Sequence, residues 1–194
     1  MHNNTYHHIG LKEQLIEAGI LLLHGKGMEG VSLRAIAKQC QVSHAAPYRH
    51  FKDKEELLSE MQKHVEKQFT ISLSESLKEE NSDMITFGVA YVRFFKEHPP
   101  YYTLFMNQKN IGIKISKESG LQGEYQPFQL FLRVGQFHLE SLNIPKEKWL
   151  VLLMQAWAIV HGLAGMAVMP SIEYDGHWEA LVEQILKGET YSEK

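Results

Sequence analysis

The side chains most suited to engaging a partner lie close together after Val42. Ser43, His44, Ala45, Tyr48, Arg49 and His50 combine short groups with long hydrogen-bond donors, and Lys54 follows. This is equipment for recognition rather than for breaking bonds. Short side chains at the start of a helix let it enter a major groove, while hydroxyl, imidazole and ammonium groups donate to phosphate oxygens. Ser43, Tyr48, His50 and Lys54 are the phosphate donors on this reading. Ser32 and Lys54 open helices, where unpaired backbone N–H groups also favour phosphate. The chain offers no HExxH or other compact metal-ligand spacing, and its single Cys40 stands beside no base. No catalytic residue, metal or cofactor is therefore expected.

Short helices must hold these groups in place. Leu11, Leu15, Ala18 and Leu22 repeat at helical spacing, and the Gly25-Lys26-Gly27 stretch should end that helix. Ser32 is an N-cap candidate before Leu33-Arg34-Ala35-Ile36-Ala37, and Ser43 before the segment His44 to His50. Asp53, with Glu56 three residues on, has the form of a capping box, and its helix should reach about Leu77. Ile36, Ala37 and Val42 would form the seam between the second and third helices. Four helix starts separated by tight turns predict a three-helix bundle with a fourth helix leaving it.

Length and charge permit this organisation. The 194 residues suffice for a small domain joined to a larger one, and 44% apolar with 22% charged residues is ordinary for a folded protein. One cysteine gives no disulfide framework, no secretory leader is apparent, and a cytoplasmic location is expected. Net charge is -3, yet residues 1–67 hold nine Lys/Arg against eight Asp/Glu, and residues 68–194 eleven against fifteen. The weakly basic first part permits nucleic-acid binding without demonstrating it.

The N-terminal pattern resembles the TetR family of transcriptional regulators. The resemblance rests on the Ser32 cap, Ile36-Ala37, the Gln41-Val42 turn, Tyr48-Arg49-His50-Phe51 and Lys54-Glu55-Glu56-Leu57-Leu58, and it covers residues 9 to about 60. It implies that Arg34, Ser43, Ala45, Tyr48, His50 and Lys54 face DNA and that Phe51 packs inward. It implies a repressor binding a pseudo-palindromic operator in double-stranded DNA as a homodimer. Two positions depart from the family pattern. Gln41 stands where glycine is usual, so a non-glycine residue must take a left-handed conformation, and Pro47 falls about one turn into the recognition helix.

The rest of the chain reads as longer helices, giving an all-α fold: a helix-turn-helix domain over 1–53 and a helical ligand-binding and dimerisation domain over 54–194. Ser82 or Asp83 starts a helix ended by His98-Pro99-Pro100, and Tyr101 to Met106 form a short aromatic segment. Residues 107–123 read as a mobile loop and a candidate gate. Helices are then expected over 126–142, 146–168 and 175–186, with no strand alternation.

Phe87, Tyr91, Phe94, Phe95, Tyr102, Phe105, Phe128 and Phe131 are the candidate lining of a pocket for a small, largely apolar ligand. An aromatic stripe at helical spacing equally describes plain core. Trp157 and His161 stand four apart on one helix face, and Trp157 to Gly162 resembles the W-x-x-x-H-G motif of a TetR C-terminal subgroup, the WHG type. They belong either beside that pocket or to a packed core. The stretch from Trp149 to Met169 is apolar except for Gln155 and His161, which are costly in lipid, so no membrane span is expected. Gly162 and Gly165, with Trp178, Leu181, Val182 and Ile185 of the last helix, make the expected dimer face. Ligand would release DNA by moving the helix from Asp53 onward as a lever. The alternative is a helix-turn-helix protein regulated by protein contact without a small-molecule inducer.

Overall fold

Helix α1 (Leu11–Lys26) buries Leu15, Ile16, Ala18, Ile20, Leu22 and Leu23, and stops at Gly27, whose φ of 69° is natural for glycine. The computed structural model describes residues 10–78, 83–108 and 111–188. Eight α-helices and one small hairpin stand among them, in agreement with the expected all-α class. The chain forms two compact units, one of residues 1–65 and 103–107, the other of residues 66–102 and 108–194. The first unit includes the first turns of α3 (Lys54–Ser76).

In the first unit α2 (Leu33–Gln39) begins as expected, with the Ser32 hydroxyl accepting from the Ala35 amide at 3.1 Å. It ends in a Schellman arrangement: Val42 N–H donates to Ala37 O, and Gln41 N–H to Lys38 O. That motif requires a left-handed residue, and Gln41 supplies it with φ 56°. The anticipated strain is therefore present. Gln41→Gly is expected to add about 0.5–1 kcal/mol, the steric relief less glycine's entropy cost. Urea denaturation checks this, and a lower midpoint would contradict it.

The segment after this turn differs from expectation. Instead of an α-helix capped by Ser43, residues 44–46 turn and Pro47–Arg49 form one turn of 3-10 helix, whose flanking residue Ala46 makes no side-chain cap. Pro47 explains the change. It has no N–H to give an α-helical bond, so Ala46 N–H closes on Ser43 O and the chain continues with the tighter pattern, His50 N–H to Pro47 O. Phe51 then buries its ring, as expected.

The expected cap of α3 is present: Asp53 accepts from Glu56 N–H at 2.9 Å. Glu56 reaches back to Lys52 N–H rather than to the cap residue's own amide. Leu57, Met61 and Val65 make its fully buried stripe within this unit. An ion pair between Lys12 and Glu60 and a 2.7 Å contact between His64 Nε2 and the Glu17 carboxylate tie α1 to α3. Lys12 and Lys63 together lower the Glu60 pKa to about 2.

The second unit is built around α4 (Met84–Glu97). Asp83 caps it, accepting from the Ile85 and Thr86 amides, while Ser82 lies outside the described residues. Helix α5 (Pro99–Met106) follows at once, with proline in its first turn where a missing N–H costs nothing. Residues 107–123, expected to be a loop, contain a hairpin of β1 (Lys114–Ser116) and β2 (Gly120–Gln122), with Ile115 opposite Leu121. Then come α6 (Gln126–Ser141), a 3-10 turn at Lys146–Lys148, α7 (Trp149–Val168) and α8 (Trp178–Lys187). The last helix starts three residues later than expected, after an extended His177. Helix α4 packs against α6, α7 and α8.

Candidate nucleic-acid interface and helical core

Between Arg34 and Arg49 the first unit turns most of its expected contact residues outward. Arg34, Ser43, His44, Ala45, Tyr48 and Arg49 are all exposed, and 55% of the Tyr48 surface is open. A tyrosine left this exposed on a small bundle contributes little to the fold; its ring and hydroxyl are available to a partner. Beneath these groups Leu33, Ile36, Ala37, Pro47 and Phe51 are buried and fix the backbone that carries them. Three expected residues are more constrained. His50 is half-buried with its ring 6.2 Å from that of Phe51. Ser32 uses its oxygen as the α2 cap. Lys54 donates to Met28 O at 2.6 Å, so its ammonium braces the bundle and has only its remaining hydrogens for phosphate.

Part of the expected aromatic lining packs on itself. Phe69, which the sequence reading passed over, stacks on Phe94 at 4.8 Å and meets Phe95 and Tyr91 at 4.7 and 5.0 Å. Phe128 packs on Phe131 and Trp157. Phe105 falls in the first unit. Offset and edge-on ring pairs of this kind fill space, so Tyr91, Phe94, Phe95 and Phe128 are core.

Cavities lie beside this cluster. One, of about 260 Å³, is lined by Phe87 and Phe131 but otherwise by aliphatic side chains, glycines and His138. An open groove of about 500 Å³ runs along α7 past Tyr102, Trp157, His161 and Gly165. Met84, Gly88, Gly135 and His138 were absent from the sequence-based set. Their signal would have been the two glycines set among bulky residues on α4 and α6.

His161 is half-buried, hydrogen-bonded to Tyr91 and also at the edge of the open groove. Tyr91 O–H lies 2.8 Å from its Nδ1, and Trp157 stands edge-on to the ring. Burial holds the His161 pKa below the ordinary value, which favours the neutral ring paired with the Tyr91 hydroxyl. In the unfolded chain the imidazole takes up its proton near 6.5. The stabilising effect of this site is thus complete above about pH 6.5 and is lost as pH falls through the lower folded value. His161→Gln is expected to flatten the fall in melting temperature between pH 7.5 and 5. An unchanged slope would show that other groups set it.

The last two helices divide their residues differently from expectation. Val182 is fully buried and Trp178 nearly so, and the Tyr102 hydroxyl occupies the space over Gly165. Val182 and Trp178 therefore pack within the unit, whereas Gly165 is half-buried and lies along the open groove. Leu181 is half-buried, whereas Gly162 and Ile185 remain outward, joined by Val151, Ile159, Met166 and Met169. Residues 146–168 are long and apolar enough to cross a membrane by length and composition.

Residues 15–61 match the model of the family described as bacterial regulatory proteins, tetR family. No curated protein matches the chain. Among solved structures it is similar to a protein of unknown function from Rhodococcus sp. RHA1, at 22% identity and TM-score 0.67, covering 95% of this chain and 96% of that one. It is similar to the TetR family transcriptional regulator PfmR from Thermus thermophilus, at 18% identity and TM-score 0.63, covering 92% and 94%. The transcriptional regulator FadR from Bacillus subtilis, in complex with stearoyl-CoA, is similar at 17% identity and TM-score 0.65, covering 90% and 95%. At these identities the likeness is one of fold, and it extends over both units.

Proposed function

We propose that this chain, whose residues 15–61 match the tetR family of bacterial regulatory proteins, is a cytoplasmic transcriptional repressor that binds operator DNA as a homodimer and is released by a small apolar ligand. The observation that carries the proposal is the exposed row Ser43, His44, Ala45, Tyr48 and Arg49, held on a buried seam directly after a tight turn. Ala45 and Ser43 let the backbone approach base edges, and Tyr48, Arg49 and Arg34 donate to bases or phosphates.

A single short recognition turn gives few base contacts, so affinity and specificity need two copies. The outward apolar stripe of α7, with Ile185 of α8, supports a dimer in which these helices pair across a two-fold axis. Such a dimer would present its recognition segments about 34–36 Å apart, one turn of duplex. Ligand binding in the helical unit would favour a different separation and lower operator affinity. The coupling is reciprocal, so operator would weaken ligand binding by the same factor.

Selection of duplexes from a random-sequence pool, followed by sedimentation of the complex, tests the reading. One inverted repeat carrying two chains is expected. Recovery without sequence preference, or a single chain per duplex, would contradict it.

A further inference from the structure

The 260 Å³ cavity has a definite place among the helices. Met84 and Ile85 come from the first turn of α4, His138 and Leu139 from the end of α6, Leu152 and Leu153 from the start of α7, and Leu186 from the end of α8. Four helix ends therefore meet around it. Two glycines make the approach possible. A Cβ on Gly88 would stand 2.4 Å from Leu186 Cδ1, and one on Gly135 would stand 2.4 Å from Leu153 Cδ2. Helices drawn this close nevertheless leave unfilled space, in a core whose neighbouring rings are closely stacked. The space is apolar at its base and partly open to solvent, since Met84, Ile85, His138, Leu152, Ala156 and Leu186 along it are half-buried.

The lining specifies the occupant. Among the described residues, His138 is its only ionisable side chain. Among the described residues no Lys, Arg, Asp or Glu lines it to compensate a ligand charge, whose uncompensated burial is strongly unfavourable. His138 is half-buried, and its imidazole has no hydrogen-bond partner among the described residues; its carbonyl is taken by Ser141. One ring nitrogen is thus available to a hydroxyl or carbonyl. A cavity of about 150 Å³ holds benzene, so by proportion this one suits roughly ten non-hydrogen atoms.

We infer that this cavity is a ligand-binding site for an uncharged, mainly aliphatic molecule of about ten non-hydrogen atoms, bearing one hydrogen-bonding group that meets His138. The inference deepens the ligand part of the function proposed above and rests on that reading for its regulatory meaning. The same helices connect the site to the outward stripe. On α7 Leu152, Ala156 and Val160 line the cavity, while their neighbours Val151 and Ile159 face out. An occupant that shifts α7 against α4 therefore shifts the surface offered to a second copy.

Calorimetric titration of the full chain with 1-alkanols from hexanol to dodecanol tests the site. Affinity is expected to rise about fourfold per methylene and to stop rising near nonanol, where the cavity is full. Ala156→Met, which fills the space, is expected to weaken nonanol binding at least tenfold without lowering the melting temperature. Met84→Ala, at a half-buried position, enlarges the space and should move the optimum about two carbons upward. Affinity that climbs evenly through dodecanol, or an optimum indifferent to both substitutions, would overturn the inference. These titrations contain no DNA. Nonanol that binds with the expected length dependence yet leaves operator affinity unchanged would uphold the site and overturn ligand control.

Discussion

Tyr48→Ala is expected to weaken binding to the selected inverted repeat by about a hundredfold, with the melting temperature of the free protein unchanged. Tyr48 is more than half exposed, so truncation removes little packing. A specific protein–DNA contact carries about 1–3 kcal/mol, and a two-fold complex loses it twice. The tyrosine is uncharged, so the slope of affinity against salt should stay as in the parent. Arg49→Ala, by contrast, should also flatten that slope, because each neutralised phosphate releases counterions. Fluorescence anisotropy at low and at near-physiological salt reads both effects. Full affinity in the Tyr48→Ala protein would remove this segment from the interface.

The second large effect is on assembly. Ile159→Asp is expected to convert a dimer into a monomer and to lower operator affinity by at least a hundredfold. Ile159 sits in the middle of the outward stripe between Val151 and Met166, beside the open Gly162 backbone. Burying an isoleucine yields about 1.5–3 kcal/mol, and the two-fold axis applies the loss twice while adding two carboxylates to an apolar surface. Sedimentation velocity at micromolar concentration reads the change directly. A parent that is monomeric, or one that partitions into lipid vesicles through α7, would contradict the dimer assigned to this face. A variant that stays dimeric would place the interface elsewhere.

The parts of this molecule legible in its sequence are those decided locally. The Ser32 and Asp53 caps, the Gly27 stop and the left-handed Gln41 each follow from a few adjacent residues, and each stands where the sequence places it. Pro47 is visible as a disturbance, but its outcome depends on whether the chain kinks an α-helix or tightens into a 3-10 turn. In the structure the chain tightens, with His50 N–H bonded to Pro47 O and Phe51 and Pro47 buried below.

The pocket lining departs from expectation for a different reason. Helical spacing puts Tyr91, Phe94 and Phe95 on an inward face, but whether inward rings enclose space or fill it depends on Phe69 of another helix. The cavity lies where Gly88 and Gly135 let helices come close, a relation between helices that no single one encodes. The dimer face shows the same limit. An all-round apolar helix announces two buried sides, and only its neighbours decide that Val182 and Trp178 turn inward while Ile159 and Met166 turn out.

Capture of sheared genomic DNA from the source organism by the purified protein, in parallel with a Tyr48→Ala/Arg49→Ala double variant, tests the central claim most directly. The parent is expected to enrich a small set of fragments that share one inverted repeat with half-sites about one helical turn apart, and the variant to enrich none of them. Equal enrichment by both proteins, or uniform recovery of the genome by the parent, would contradict sequence-specific regulation through this segment.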